Sequence, residues 1–166
     1  VILRALTLIG GLAGATVSSQ FPEFSQQYLQ RLGGAVDALG EVVADFDASA
    51  SRAGLSREDA LDQLEGTAFL DARRADMTAT FHRYERLSAD LMVLQGQGPV
   101  MRALHVPRLT DGQIVQATWG VYEPAVPLTW TGAFFAIAGF ISGAFCVGVI
   151  LRIFLWPFRL AWTKAA

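Results

Sequence analysis

Leu128–Leu151 reads LTWTGAFFAIAGFISGAFCVGVIL and holds no charged residue. In a helix rising about 1.5 Å per residue, these 24 residues reach about 36 Å, more than a hydrocarbon core of about 30 Å. Buried helices of soluble proteins are rarely this long without a charge, so the stretch reads as a transmembrane span. Trp130 stands near one end and Trp156 just past the other, where amphipathic rings favour the headgroup zones. Arg152, Arg159, Trp162 and Lys164 follow on the C-terminal side, and with Trp130 and Trp156 they are the expected membrane-interface anchors.

Working outward, the charge is sorted by position. All 15 acidic residues lie between Glu23 and Glu123 with nine arginines, giving −6, while Arg4, Arg152, Arg159 and Lys164 give the flanks +4. Basic residues beside membrane segments mark the cytoplasmic face, so both termini are expected in the cytoplasm and the acidic middle in the periplasm. The mean hydropathy of +0.37 is high for a soluble domain. The single cysteine, Cys146, lies within the span and cannot form an intrachain disulfide. No basic patch points to nucleic acid.

A second apolar run, Ile2–Val17, carries only Arg4. Extended to Phe21 it makes a short span if Arg4 snorkels to the headgroups. A basic start with small residues at Ala13 and Ala15 also fits a secretory signal, and a retained span is the expectation. The expected divisions are 1–21 for the first span, 22–127 for a periplasmic helical domain, 128–156 for the second span and 157–166 for an interfacial tail.

Within the middle, Phe21, Phe24, Tyr28, Leu32, Val36, Leu39, Val43, Phe46 and Ala50 recur at steps of three or four, one stripe of an amphipathic helix. Gly33 and Gly34 interrupt it, and close approach to a neighbouring helix is their expected use. After a turn at residues 51–56, Ser56-Arg57-Glu58-Asp59 resembles a capping box and opens a second long helix to about Leu94. Its expected stripe is Leu61, Leu64, Ala68, Ala72, Ala75 and Ala79, continued by Phe81, Tyr84, Leu87, Leu91 and Leu94. The two helices are expected to pair as an antiparallel hairpin. Short helices are expected at residues 99–105 and, capped by Thr110 or Asp111, at residues 113–121. The fold class is therefore all-α: two transmembrane helices flanking a periplasmic antiparallel helical hairpin.

Chemistry-bearing patterns are sparse. His82 and His105 lack the spacing of a metal set; Glu85 three after His82 reverses the order of a di-iron motif. They read as solvated or hydrogen-bonded. Arg73 and Arg74 beside Asp71 and Asp76 read as a salt-bridged surface. No nucleophile elbow, phosphate loop, dinucleotide fingerprint or paired-cysteine motif occurs. Neither span has a central ionisable residue for an ion pathway. No catalytic, cofactor or metal site and no small-molecule substrate is therefore read.

Both spans instead carry a small-xxx-small pattern, Gly10 with Gly14 and Gly139 with Gly143, which lets helix backbones touch. Either the two spans pack together or the glycines dock the protein on a larger complex, with Phe135 and Cys146 beside the second pair.

Two segments, Ile2–Asp37 and Ala117–Gly143, resemble a family of short inner-membrane proteins of alphaproteobacteria known as a domain of unknown function. The likeness is firmest at Gln20–Tyr28 and Tyr122–Thr129. It implies an inner-membrane location with two spans and brings no catalytic residues. The expected function is that of a non-catalytic accessory or assembly subunit contacting lipids and docking on a larger integral membrane complex, a respiratory or photosynthetic electron-transfer complex being one candidate. The alternative is a periplasmic helical sensor, which would need a separate signalling partner because few residues follow the second span.

Overall fold

The computed structural model describes residues 2–109, 111–124 and 129–163, with side chains through Leu155. The described residues form helices and no strand: α1 (Ile2–Ser19), α2 (Phe21–Arg52), α3 (Arg57–Asp62), α4 (Ala68–Leu94), α5 (Pro99–Leu104), a 3-10 turn (Val106–Arg108), α6 (Gly112–Trp119) and α7 (Trp130–Thr163). They fall into two compact units, residues 1–25 with 121–166, and residues 26–120.

The first unit is built on α1 and α7. Two stretches, Ile2–Arg52 and Trp130–Leu155, contain helix long and apolar enough to cross a membrane. Most of their large apolar side chains point outward, among them Leu8, Ile9 and Leu12 of α1 and Phe134, Ile137, Ile141 and Phe145 of α7. Lipid is the solvent in which such faces cost nothing. Gly10 of α1 meets Val147 and Gly143, whereas Gly14 meets Gly139. Rising numbers on one helix meet falling numbers on the other, so the two run antiparallel. Arg4 and Arg152 consequently fall at one end of the pair.

α1 passes into α2 across Gln20 alone, whose N–H donates to the Val17 carbonyl at 3.2 Å. Ser18 and Ser19 do not separate two helices as strong caps would. Ser19 donates back to the Thr16 carbonyl at 2.9 Å, a bond made inside a continuing helix. α7 likewise continues past Pro157, so no helix end marks the expected boundary at 156/157. Beyond it, Lys164 lies outside the described residues.

The second unit takes its core from the α2 stripe. Tyr28, Leu32, Val43 and Ala50 are buried, and Val36, Leu39 and Phe46 half-buried. Val43 packs with Met77 and Phe81 of α4, bordered by Phe46, Leu61 and Tyr84. The Phe46 and Phe81 rings meet edge to face at 5.2 Å, and Tyr84 lies against Gly40. Gly40 thus provides the close approach expected of Gly33 and Gly34, at which an added methyl would meet nothing.

The expected long second helix is broken. α3 ends at Asp62, Gly66 takes φ +94°, and Thr67 begins α4 by accepting a hydrogen bond from the Leu70 N–H. The break resets the helical phase. Ala68, Ala72, Ala75 and Ala79 therefore face solvent, and Met77 takes the core position instead. Beyond Phe81 the stripe follows the expected face, with Leu87 and Leu94 fully buried. Ser56 caps α3 as its motif predicts, accepting from the Asp59 N–H at 3.1 Å. Its hydroxyl donates to the Asp59 carboxylate at 2.8 Å, so the acid answers the cap side chain rather than the cap backbone.

Candidate functional site

Two places concentrate unusual local chemistry, one in each unit. In the first unit it is the seam of small residues between α1 and α7. A Cβ added to Gly14 would collide with the Gly139 carbonyl and lie 3.1 Å from the Gly143 Cα. One added to Gly143 would collide with the Gly10 carbonyl and lie 3.2 Å from the Gly14 Cα. Gly139 also receives the Ser18 side chain, and Gly11 the edge of Phe140. With no Cβ at these sites the two backbones come within van der Waals reach, the source of association where apolar burial contributes little. All four expected docking glycines are therefore brought together, and their partners are one another. The face expected to receive an outside helix is occupied by the chain's own first helix. Phe135 belongs to its margin, stacking on Phe21 at 5.4 Å, whereas Cys146 points outward.

At the head of this seam, the Tyr122 hydroxyl donates to the Gln20 side chain at 2.9 Å and meets the Gln20 carbonyl at 3.2 Å. Its ring stands edge-on to Phe24 at 5.9 Å. Burial and the nearby Glu23 push the Tyr122 hydroxyl above its ordinary pKa.

The expected anchors are distributed along α7. Trp130 is almost wholly exposed in its first turn, and Arg152 is exposed in its last third, at the end where α7 passes the start of α1. Trp156, Arg159 and Trp162 lie on the helical course, with side chains outside those described.

In the second unit the concentration is a polar cluster that composition and spacing did not reveal. The Asp111 side chain, 8% exposed, accepts from Arg83 at 3.1 Å and from Arg86 at 3.2 Å. It also caps α6, accepting from the Ile114 N–H at 3.1 Å, while its own N–H donates to the Tyr28 hydroxyl at 3.3 Å. The carboxylate thereby ties α4 to α6, and the backbone N–H of the same residue ties both to α2. Burial raises the Tyr28 pKa, outweighing the hydrogen bond from Asp111 that lowers it. Nearby, Arg108 pairs with Asp90 at 2.9 Å.

Arg102 of α5 is 6% exposed. Its Nε donates to the Gln97 carbonyl and its guanidinium to the Gln26 side chain, each at 2.9 Å. Burial lowers its pKa. The signal that could have located it is the pattern of α5 itself, a lone cation among Val100, Met101 and Leu104.

Other ion pairs lie at the surface. Arg57 makes a two-pronged pair with Asp47, at 2.8 and 2.6 Å, and covers the Phe81 ring at 4.6 Å. The hydrogen bond from Arg57 draws the Asp47 carboxyl below its ordinary value. Both groups line an open depression of about 260 Å³, and being paired they leave it no free charge of their own. Arg74 reaches Asp62 at 2.5 Å, rather than the neighbouring acids Asp71 and Asp76. His82 is exposed 3.9 Å from Glu85, and His105 Nδ1 lies 2.9 Å from the Met101 carbonyl. Among the described residues no group of three or more potential ligands is arranged to hold a metal ion.

The model of one protein family, described as protein of unknown function (DUF2937), matches residues 2–160, nearly the whole chain, and the chain belongs to that family. No curated protein and no solved structure matches it.

Proposed function

We propose that this family member is a non-catalytic accessory or assembly subunit of a larger inner-membrane complex. In this reading α1 and α7 cross the membrane, both termini are cytoplasmic, and residues 22–127 form a periplasmic domain around the α2–α4 hairpin. The observation that carries it is the closed glycine seam. Because the small residues are used between α1 and α7, the pair makes its own anchor and needs no partner helix to complete it. The outer face of α7 is then free to meet a neighbour with bulky side chains: Phe134, Ile137, Ile141 and Phe145, spaced by three and four residues. Arg4 and Arg152 at one end of the antiparallel pair support the cytoplasmic assignment of both termini.

The test is native electrophoresis of membranes solubilised in mild detergent, comparing wild type with Ile137→Ala combined with Ile141→Ala. Co-migration with a large assembly that the double variant loses fits the proposal. Migration of the wild type alone removes it, and a ligand-dependent dimer would favour the sensor reading. Labelling of introduced cysteines at Ser51 and Ala166 with a membrane-impermeant reagent tests the topology, since a label at 166 without one at 51 in intact cells would invert it.

A further inference from the structure

Helix α5 is turned inside out. Its one cation, Arg102, is buried, while Val100 and Met101 are more than two-fifths exposed and Leu104 is 72% exposed. Single exposed apolar residues are ordinary on soluble surfaces. A short helix that directs its charge inward and its aliphatic side chains outward is a different case, because in water the opposite rotation would be favoured. The inward pose is held by built contacts, from the Arg102 guanidinium to the Gln97 carbonyl and the Gln26 side chain. Val106, in the 3-10 turn that follows, extends the outward apolar run.

The chain itself says what lies within reach of this face. Gln26, which Arg102 grips, is seven positions beyond Ser19, the last residue of α1. Seven residues span about 10 Å as helix and no more than about 25 Å fully extended. The headgroup region beyond each side of the hydrocarbon core is itself about 6 Å deep. Covalent continuity alone therefore keeps Gln26 within that reach of Ser19. The other connection carries a matching signal, since Trp119 is 70% exposed one residue before the second unit ends at Gly120. Tryptophan is the side chain most suited to the headgroup zone.

We propose that α5 is an interfacial helix, its Val100–Met101–Leu104 face resting on the bilayer that α1 and α7 cross. Arg102 would then act as an internal latch that sets the rotation of α5 and directs its aliphatic side toward lipid. This inference rests on the membrane reading of α1 and α7 and needs no partner complex. The chemistry recognised is the boundary between headgroups and acyl chains, entered by aliphatic side chains without penetration of the core.

The experiment uses full-length protein carrying Cys146→Ser in nanodiscs of phosphatidylethanolamine and phosphatidylglycerol. Single nitroxide labels are placed through Leu104→Cys, Ile141→Cys and Ala72→Cys, all at exposed positions where replacement leaves the core intact. Collision with oxygen, which partitions into lipid, is compared with collision with a water-soluble nickel chelate. The expected result is an oxygen-to-nickel ratio at 104 nearer to that at 141 than to that at 72. A water-like ratio at 104 beside a lipid-like ratio at 141 overturns the proposal while leaving the spans in place. A water-like ratio at 141 overturns the membrane reading on which it rests. Spin–spin broadening at 104 that disappears on dilution with unlabelled protein would assign the face to a second copy and overturn the lipid assignment.

Discussion

Gly14 and Gly139 approach so closely that a Cβ on either would strike the other's carbonyl oxygen. The obstruction is backbone on both sides, so no flexible side-chain end can move away. The seam can therefore yield only by separating the helices. Its integrity depends on two hydrogen atoms standing where every other residue has a carbon.

Replacing Gly14 or Gly139 with Leu should open the pair, at a cost of about 1–3 kcal/mol per site for overpacking. The reporter is Phe21→Cys with Phe135→Cys in a Cys146→Ser background, placed where the two rings now stack at 5.4 Å. A short bifunctional thiol reagent should join the pair in the glycine background and fail in the leucine variants. Equal cross-linking in both would mean the seam does not hold the helices together.

In the second unit, Leu32→Ala or Leu87→Ala should destabilise by about 2–5 kcal/mol, because both side chains are fully buried and the change leaves a cavity. Leu39 and Leu91 are half-buried, so their truncation should cost less than that of Leu32 or Leu87. Ala72→Ser and Ala75→Ser, on the exposed face of α4, should stay within about 0.5 kcal/mol. Denaturant midpoints followed by circular dichroism measure the ordering. A loss at Ala72 as large as at Leu87 would reverse the assigned face.

Asp111→Asn should retain much of the α6 cap yet remove the charge that Arg83 and Arg86 share, whereas Asp111→Ala loses both. The cap contributes about 1 kcal/mol and hydrogen bonds to charged groups about 1.5–3 kcal/mol, so the alanine variant should be the weaker of the two. Thermal unfolding of both variants decides it. Equal midpoints would show that the cap contributes nothing beyond the ion pairs.

Tyr28 titrates in the alkaline direction. Its pKa is raised in the folded chain above the ordinary value of 10.0, so the folded state holds the phenol proton more tightly. Its contribution is present in full below about pH 10 and is lost as pH rises through the folded value. Tyr28→Phe should flatten that alkaline fall, at the cost of the acceptor for the Asp111 N–H. The measurement is denaturation midpoint against pH above neutrality. An unchanged alkaline slope in the phenylalanine variant would exclude Tyr28 as its source.

Local features were legible in the residues alone. Within the charge-free run that ends at Leu151, the chain makes a long apolar helix from Trp130 onward whatever it packs against, because hydropathy and length are properties of one segment. The α2 stripe from Phe21 to Ala50 survives for a related reason: one uninterrupted helix keeps one phase. Ser56 and Asp111 declare themselves as caps because capping joins residues three positions apart. Such energies are local, and the sequence displays them directly.

Tertiary structure decided whatever joined distant segments. The positive φ at Gly66 changed the phase of α4, so Met77 entered the core and the alanine stripe turned outward. Gly10, Gly14, Gly139 and Gly143 announced close packing, but GxxxG specifies a surface and not its occupant. Only the antiparallel register of α1 with α7 made each pair the partner of the other. Tyr28 and Asp111 are 83 positions apart, and Gln26 and Arg102 are 76 apart. No periodicity reaches across such separations. Those polar partners are chosen by which buried groups the packed helices leave needing a hydrogen bond, a requirement that exists only once the chain has folded.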